Sequence, residues 1–305
     1  MLTLNSCPVC YSENIQLAYQ GKTTRDPSDP KRWKVYKCLD CTLGFINPQP
    51  TWTELQPYYS SDYPLYQSSH GLEDTEDNLV EQAKAAGEYR GVKIKPGLRL
   101  LDVGCGGGSF LNIANQLGAE VQGIEPSDHG FTSTRARGLP VFFGTLEDYF
   151  KSEARDRKFD LITSNHVIEH VPNPVEVLGL MGKLLAPGGA IQIAVPNADC
   201  KFAQRLKDRW HSTDLPYHIL QFTPQSFTCA AQKAGLQIRQ QYTSSPDFAV
   251  ANSIRLLMRY QWFIPRTLLS KISWIDNVYA PRLANQMDSR GEGEALVTEL
   301  ETTKM

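Results

Sequence analysis

The stretch LDVGCGGGSF constrains this chain more than any other part of its sequence. An apolar run ends at Asp102, and glycines follow at Gly104, Gly106 and Gly108 in a D-x-G-x-G-x-G pattern. A dinucleotide-binding turn would have a third glycine where this chain has Ser109. A carboxylate at Asp102 also repels a pyrophosphate and suits a ligand that carries an ammonium or sulfonium group. The stretch therefore predicts a strand, a turn that such a ligand approaches closely, and a helix.

From Gly97 onward, short apolar runs alternate with segments of helical periodicity. Strand-like runs lie in LRLLDVG, AEVQGIEP, LPVFFGTLEDY, KFDLITSNHVIEHV, GGAIQIAVPN, QIRQQYTSS and EALVTELET. Helices are predicted between them, including SFLNIANQLG and TPQSFTCAAQKAGL, the latter with Thr223 as N-cap and Pro224 in its first turn. This order predicts an α/β fold with a Rossmann-like, doubly wound, mostly parallel sheet of seven strands.

A second acid, Glu125, ends the next predicted strand, 23 residues after Asp102. A carboxylate at this position commonly binds the two hydroxyls of a ribose. The two acids together imply a nucleoside with a cationic tail, and S-adenosylmethionine (SAM) fits that description. A glycine turn that binds no nucleotide is the alternative.

Residues 97–245 resemble the class I SAM-dependent methyltransferases, because several motifs of that family occur in the right order. These motifs are LDVGCGGG, GIEPS, GTLEDY, FDLITSNHVIEHVPNP and LLAPGGAIQIAVPN. The resemblance implies a set of cofactor-binding residues: Asp102, Gly104 and Gly106 beside the methionine part, Glu125 at the ribose, Thr145 and Leu146 flanking the adenine, and Asn165 and His166 closing the site.

Four of the seven cysteines form two close pairs, Cys7 with Cys10 and Cys38 with Cys41, with 27 residues between the pairs. In a reducing compartment, such pairs indicate a metal before disulfides. Four thiolates make a closed tetrahedral site that Zn2+ favours, so the predicted role is structural. The stretches CPVC and CLDCTLGF look like zinc-ribbon knuckles, with Gly44 available for a turn after the second.

These patterns divide the chain into a small N-terminal zinc ribbon over 1–50, a helical connector or lid over 51–95, and a methyltransferase domain over 96–305. The prolines of NPQP close the first part. In the connector, Tyr59 and Tyr63 either cover the methionine end of the cofactor or pack on the core.

The combination of a four-cysteine ribbon with this core resembles bacterial sugar methyltransferases. These include the C-methyltransferases of deoxysugar biosynthesis and related enzymes of surface-polysaccharide pathways. The likeness covers roughly residues 1–245. The C-methyltransferases carry a further C-terminal domain for which 305 residues leave no room. The resemblance therefore implies a small-molecule or glycan acceptor and no particular sugar. Our own first hypothesis is methylation of a hydroxyl oxygen, in preference to a carbon.

An alcohol acceptor needs a base, and two polar clusters follow predicted strands: NHVIEH and WHSTDLPYHILQFT. His218 in the second cluster is the preferred catalytic base, with Asp214 four residues before it and Tyr217 beside it. Imidazole titrates near neutral pH, and related sugar methyltransferases use a histidine in this segment. A histidine that only stabilises the loop is the alternative, and His211 is the next candidate.

In the first cluster, Glu169 and His170 are interpreted as structural, because EHV is common in the superfamily whatever the acceptor. Some relatives, the quinone O-methyltransferases, use an E-x-x-E-H run there to bind a divalent ion. His166 replaces the first acid of that run in this chain. A metal at His166, Glu169 and His170 is therefore an alternative.

Residues 251–290 lie between the last two predicted strands and combine apolar and cationic residues at helical spacing. The cationic ones are Arg255, Arg259, Arg266 and Lys271. Three interpretations compete: a lid over the acceptor pocket, the surface of a homodimer, or a patch in peripheral contact with an anionic membrane. A lid or a dimer surface is the simpler expectation.

The composition restricts the partners and the compartment. The formal net charge of -2 provides no global basic field for nucleic acid. The sequence has neither a signal-peptide pattern nor an apolar run long enough to span a membrane, so we expect a cytoplasmic protein. Two alternatives to a small-molecule methyltransferase are an RNA methyltransferase that grips RNA through KRWKVYK, and a non-catalytic SAM-binding scaffold.

Overall fold

A computed structural model describes residues 1–26, 28–55, 73–261, 263–269 and 272–303. Strands β1 to β13 are, in chain order, Ile15–Gly21, Trp33–Cys38, Gly44–Ile46, Glu88–Tyr89, Val92–Lys93, Arg99–Val103, Glu120–Glu125, Val141–Phe143, Phe159–Asn165, Leu185–Pro196, Leu220–Gln221, Leu236–Ser244 and Ala295–Thr302. Helices α1 to α11 are Trp52–Leu55, Glu73–Ala86, Ser109–Gln116, Asp128–Ala136, Leu146–Lys151, Pro174–Leu184, Lys201–Leu206, Pro224–Lys233, Asp247–Gln261, Arg266–Leu269 and Ala280–Ser289. The predicted roles of Tyr59 and Tyr63 lie outside the described residues.

Seven strands form the central sheet, in the order β12-β13-β10-β9-β6-β7-β8. Strands β10, β9, β6, β7 and β8 pair in parallel, whereas β13 pairs antiparallel with both of its neighbours. The predicted Rossmann-like, mostly parallel sheet is therefore confirmed. Asp102, Glu125 and Asn165 come at the carboxyl ends of three parallel strands and so lie along one edge of this sheet.

Strand β6 is buried on both faces, which explains why its sequence is a continuous apolar run and not an alternating one. Leu100 packs into one hydrophobic cluster and Leu101 into another. Consecutive side chains of a strand point to opposite faces, so these two clusters lie on the two sides of the sheet. The apolar run thereby fixes β6, and the turn that follows it, in the middle of the molecule.

Helix α8 begins as predicted. Thr223 is its N-cap, Thr223 and Ser226 form a reciprocal capping box, and Pro224 occupies the first turn. This cap ends the long connection that leaves β10 and carries the candidate base. The position of that connection is thus fixed at its far end by local sequence.

The N-terminal part forms a second sheet, in the order β1-β2-β3-β11. Its last strand comes from the connection after β10, because Leu220 and Gln221 pair with Phe45 and Gly44. The expected turn at Gly44 is wrong, since this glycine lies within β3, where a Cβ would approach the Gln221 side chain to 3.0 Å. This sheet therefore joins the N-terminal part to the methyltransferase part of the chain. The predicted domain limits stay predictions.

The segment between β12 and β13 is helical, as expected, with α9 and α11 packing against α7 around a small hydrophobic cluster of their own. Phe248 and Trp274 in this segment are exposed. Its role as a lid, dimer surface or membrane contact stays a prediction. Among the described residues, no helix combines the length and the apolar character that crossing a membrane requires.

Candidate functional site

The glycine turn adopts left-handed backbone conformations that glycine permits. Gly104 and Gly106 have φ angles of +73° and +54°. A Cβ on Gly104 would lie 2.4 Å from Cγ2 of Val167, so the turn packs directly on the segment that follows β9. A Cβ on Gly106 would meet no described atom within 4 Å. The backbone at Gly106 therefore faces open space, where the sequence predicts the cofactor.

Asp102 is 4% exposed and accepts a 2.7 Å hydrogen bond from Oγ1 of Thr163 on the neighbouring strand. Burial raises the pKa of Asp102 to about 7, and the charge of Glu125 acts in the same direction. The Thr163 hydrogen bond and the charge of Arg90 lower this pKa without outweighing burial. A positively charged ligand over the turn would favour the ionised carboxyl.

The carboxylate of Glu125 is held beside the turn by three donors. Its Oε2 accepts a 2.8 Å hydrogen bond from the backbone N–H of Gly106. Its Oε1 accepts hydrogen bonds of 2.9 and 2.5 Å from the backbone N–H and the hydroxyl of Ser127. Carboxylate oxygens have further lone pairs, so Glu125 retains the capacity to bind ribose hydroxyls. That role stays a prediction.

Thr145 and Leu146 lie where β8 leads into α5. The hydroxyl of Thr145 forms a reciprocal capping box with Asp148, and Leu146 is 3% exposed. The backbone N–H of Gly144 donates to the carbonyl of Glu125, which ties this turn to the end of β7. Both residues thus follow a turn that is bonded to Glu125, and their contact with adenine stays a prediction.

Strand β9 ends at Asn165, and His166 follows it with a φ of +55°. The half-exposed imidazole of His166 places Nδ1 3.2 Å from Oε1 of Glu169, whose side chain is 1% exposed. Burial alone raises the pKa of Glu169, but the neighbouring histidines, first of all His166, outweigh it and lower this pKa to about 2. Glu169 is therefore a buried carboxylate at the candidate site, whereas closure of the cofactor site by Asn165 and His166 stays a prediction.

The imidazoles of His170 and His218 meet edge to face, with ring centres 4.7 Å apart. Nδ1 of His170 lies 2.8 Å from the carbonyl oxygen of Tyr217, and Nδ1 of His218 lies 2.7 Å from that of Ser212. A carbonyl oxygen only accepts, so each Nδ1 carries a proton, and in the neutral form of either ring Nε2 carries the lone pair. Nε2 of His218 lies 3.8 Å from Oε1 of Glu169. The imidazole of His218 is therefore oriented as a base beside a carboxylate.

The structure changes the set of residues that could bind a divalent ion. Glu169, His170 and His218 each offer one ligand atom, and these atoms all lie within 4.8 Å of one another. The structure thus groups His218, not His166, with Glu169 and His170. Burial lowers the pKa of His170 to about 4, which leaves this imidazole neutral as a ligand must be. Two imidazoles and a carboxylate suit a divalent transition ion.

A second acid–histidine pair joins His211, on the connection after β10, to Glu294, which directly precedes β13. Glu294 is 4% exposed and accepts a 3.0 Å hydrogen bond from Nε1 of Trp210 and another from the hydroxyl of Ser253. Its Oε2 lies 3.6 Å from Nε2 of His211, and among the described residues neither atom has a hydrogen-bond partner. Burial raises the pKa of Glu294 and lowers that of His211 to about 4.

The four N-terminal cysteines converge. Cys7 Sγ lies 3.5 Å from Cys41 Sγ, Cys10 Sγ lies 3.4 Å from Cys38 Sγ, and the four sulfur atoms lie within 4.8 Å of one another. A tetrahedral zinc site with bonds of about 2.3 Å separates its sulfurs by roughly 3.8 Å, which this arrangement approaches. The four cysteines therefore fit a structural zinc ion.

The two cysteine knuckles have the same backbone turn. Tyr11 and Thr42, which follow the second cysteine of each pair, have φ angles of +67° and +69°. Their N–H groups each donate a 3.0 Å hydrogen bond to the carbonyl of the first cysteine in the pair. The left-handed position after the second knuckle is thus Thr42, two residues before Gly44, where the sequence predicts the turn.

Three residues at the site carry no sequence motif, and sequence reasoning missed them. Thr163 holds Asp102, and Glu294 lies beside His211. Arg25 forms an ion pair with Asp214, four residues before the candidate base. In the sequence, Arg25 and Glu294 are recognisable only as charged residues, and charged residues normally lie on the surface.

The fold and the site together define an S-adenosylmethionine-dependent methyltransferase domain. Residues 75–241, more than half of the chain, match the family described as methyltransferase domain. The chain therefore belongs to that family. A chain in the solved complex of the Haloferax volcanii Trm112 methyltransferase activator with a methyltransferase superposes with a TM-score of 0.51 and 18% identity. It covers 77% of this chain and 93% of that one, a likeness that concerns the fold.

Curated relatives match the core of the chain. The ubiquinone biosynthesis O-methyltransferase of Rhizobium etli is 37% identical over 111 residues, which is 35% of this chain and 44% of the relative. The protein of the same name from Caulobacter sp. is 36% identical over 131 residues, 40% of this chain and 51% of the relative. The chain thus spans about half the length of these relatives.

Proposed function

We propose that this protein transfers a methyl group from SAM to a hydroxyl oxygen of a small molecule, with His218 as the general base. The observation that carries the proposal is the fixed imidazole of His218. Its Nδ1–H donates to the carbonyl of Ser212, so the basic Nε2 is directed toward Glu169. The curated relatives, which are O-methyltransferases by name, support oxygen as the acceptor atom.

The glycine turn and the candidate base belong to one region. Val167 contacts Gly104, and the same short segment supplies Glu169, which lies 3.8 Å from His218. Loops after β6, β9 and β10 thus meet at one edge of the sheet, as in other α/β proteins that bind ligands there. A cofactor at the turn and an acceptor near His218 would therefore be neighbours.

When bound beside Asp102 and Gly106, SAM would supply an electrophilic methyl group, with a neutral thioether as the leaving group. The acceptor oxygen forms the new C–O bond and gives its proton to Nε2 of His218. Glu169 stabilises the imidazolium that forms, because its carboxylate is ionised and 3.8 Å away. Asp102 binds the positive end of the cofactor, and the backbone at Gly106 lets it approach.

We propose a hydroxyl-rich acceptor, as in a sugar or glycan, in preference to an apolar one. Among the described residues, Oε2 of Glu169, Oε2 of Glu294 and Nε2 of His211 are buried and lack a hydrogen-bond partner. Buried polar atoms are costly unless they are paired, and acceptor hydroxyls would pair them. An aromatic hydroxyl is the other class to test, because the curated relatives act in ubiquinone biosynthesis by name.

A divalent ion at Glu169, His170 and His218 is the competing assignment. It would make His218 a ligand and leave the proton of the acceptor to metal-assisted chemistry. Activity that survives dialysis against EDTA, and that added Mn2+ or Mg2+ does not change, supports the base. Activity that EDTA removes and Mn2+ restores supports the ion.

The test of the proposed function is product analysis. Wild-type protein and Asp102→Asn are incubated with methyl-labelled SAM and dTDP-glucose, a surface glycan, 3,4-dihydroxybenzoate or RNA, and the products are examined by mass spectrometry. We expect one methyl group on an oxygen of a nucleotide sugar or glycan with the wild type, and none with the variant. A product from 3,4-dihydroxybenzoate alone would show that the acceptor is an aromatic hydroxyl and not a sugar or glycan. A product from RNA alone would contradict the proposal.

A further inference from the structure

We infer that Arg25 is a positioning residue for the candidate base, through which the N-terminal cysteine module (residues 1–50) takes part in methyl transfer. The inference rests on the proposed function, because it concerns the connection that carries His218. A structural zinc ribbon needs no contact with a catalytic loop. In this protein, however, Arg25 in the loop between β1 and β2 contacts that connection.

Arg25 makes three contacts with residues next to the candidate base. Its Nε–H donates a 2.8 Å hydrogen bond to Oδ1 of Asp214, and a second N–H donates to Oδ2 of the same carboxylate. Its guanidinium also stacks over the ring of Tyr217, 3.9 Å from the ring centre. The Arg25 and Asp214 side chains are only 24% and 8% exposed, so this ion pair is screened little by solvent.

Both partners of Arg25 contact the imidazoles of the site. The carbonyl of Asp214 accepts a 3.1 Å hydrogen bond from the backbone N–H of His218, and Oδ2 of Asp214 lies 4.0 Å from Nε2 of His218. The carbonyl of Tyr217 accepts the Nδ1–H of His170 at 2.8 Å. A shift of Asp214 or Tyr217 would therefore shift the two rings that face Glu169.

The conformation of Asp214 explains why it needs an external partner. Its φ of +38° is one that residues other than glycine rarely adopt. Its carboxylate is almost fully buried, and a buried carboxylate without a partner is strongly unfavourable. Arg25 satisfies both oxygens at once, so it stabilises a turn that the local sequence disfavours.

The rest of the module supports the same connection. The N–H of Ile46 donates a 2.9 Å hydrogen bond to the carbonyl of Ile219, the residue after His218. The hydroxyls of Thr42 and Thr223 lie 2.5 Å apart, and Thr42 directly follows Cys41 of the metal-binding set. The cysteine cluster, the ion pair and the candidate base thus form one continuous set of contacts.

The contact geometry requires arginine and not simply a positive charge. A bidentate ion pair combined with stacking on a ring uses the planar, forked guanidinium, which lysine lacks. Lysine at this position retains one charge-assisted hydrogen bond. Arg25→Lys is therefore expected to lie between the wild type and Arg25→Gln in every measured property.

The experiment compares Arg25→Gln, Arg25→Lys and Arg32→Ala, the last at an exposed arginine of the same module. S-adenosylhomocysteine affinity is measured by calorimetry, and hydrogen–deuterium exchange is measured over residues 211–221. The parameters kcat and KM are measured with whichever of dTDP-glucose and 3,4-dihydroxybenzoate is turned over. We expect Arg25→Gln to lose about 100-fold in kcat, because misplacing a catalytic group by about 1 Å has that effect.

In Arg25→Gln, S-adenosylhomocysteine affinity should stay within a factor of about 2, while exchange over residues 211–221 becomes faster. Arg25→Lys should be partly restored in both kcat and exchange, and Arg32→Ala should match the wild type. Wild-type kcat in Arg25→Gln, or equal defects in Arg25→Gln and Arg25→Lys, would overturn the inference. If neither probe is turned over, the proposed acceptors fail, and unchanged exchange in Arg25→Gln would still overturn the role of Arg25.

Discussion

Thr163 on β9 donates a 2.7 Å hydrogen bond to the buried carboxyl of Asp102 on β6. The bond favours the ionised form of this carboxyl, while burial favours the neutral form and raises the pKa of Asp102 to about 7. Protonation of Asp102 and binding of a cationic cofactor are therefore linked near neutral pH.

The first prediction concerns the pH dependence of cofactor binding. The affinity for SAM should rise about tenfold between pH 6 and pH 8, because the ionised fraction of a group with a pKa of about 7 rises by that factor. Calorimetry across this range measures it. Thr163→Val removes a hydrogen bond to the ionised form, so its rise in affinity should occur at higher pH. An affinity that is independent of pH in both proteins would contradict this account.

The second prediction concerns stability. The pKa of Asp102 is raised from 3.8 in folding, so the folded state favours the protonated acid. That stabilisation is fully present below pH 3.8 and is lost as the pH rises through about 7. Asp102→Asn should therefore be more stable than the wild type at pH 8, by up to about 4 kcal/mol, and the difference should vanish near pH 4. Urea unfolding at both pH values tests this, and a less stable variant at pH 8 would refute it.

The third prediction separates backbone strain from ligand contact at the glycine turn. Gly106 and Gly138 have φ angles of +54° and +75°, and a Cβ on either would meet no described atom within 4 Å. Alanine at either position should cost roughly 1 kcal/mol of stability through its left-handed backbone. Only Gly106→Ala should also weaken S-adenosylhomocysteine binding, which calorimetry measures. Equal S-adenosylhomocysteine affinities of the two variants would show that the cofactor does not contact Gly106.

The fourth prediction concerns the cysteine cluster. Purified wild-type protein should contain one zinc ion per chain by elemental analysis, and Cys41→Ser should contain none, since four thiolates close the site. Loss of the ion should lower the melting temperature by roughly 10 °C, because metal binding contributes to folding free energy. Cys229→Ser, outside the cluster, is the matched control. A stable, metal-free wild-type protein would show that the thiols have another role.

Local sequence was sufficient for much of this structure. The apolar run before Asp102 predicted a buried central strand, the spacing of Cys7, Cys10, Cys38 and Cys41 predicted their convergence, and Thr223 predicted a helix start. The strand and the helix start are read from neighbours along the chain, because apolar patterning and capping act over a few residues. The two cysteine pairs have 27 residues between them, and their convergence was predictable because a zinc ion needs four ligands and each pair offers two.

Contacts between residues far apart in the chain could not be predicted from the sequence. Arg25 and Asp214 are 189 residues apart, and β11 has only two residues, too few for a periodic pattern. The third candidate ligand beside Glu169 and His170 is His218 and not His166, because the connection after β10 folds back over the end of β9. These contacts depend on where two loops meet in space, and neither loop has a periodicity that indicates its partner.

The central claim is that His218 takes the proton from the acceptor hydroxyl. Its most direct test is the single-turnover rate of methyl transfer by the wild type, His218→Ala and the control His129→Ala, which alters an exposed histidine on α4. S-adenosylhomocysteine affinity is measured in parallel. We expect His218→Ala to lose about 100- to 10,000-fold in rate with cofactor affinity unchanged, and His129→Ala to match the wild type. A wild-type rate in His218→Ala would contradict the account.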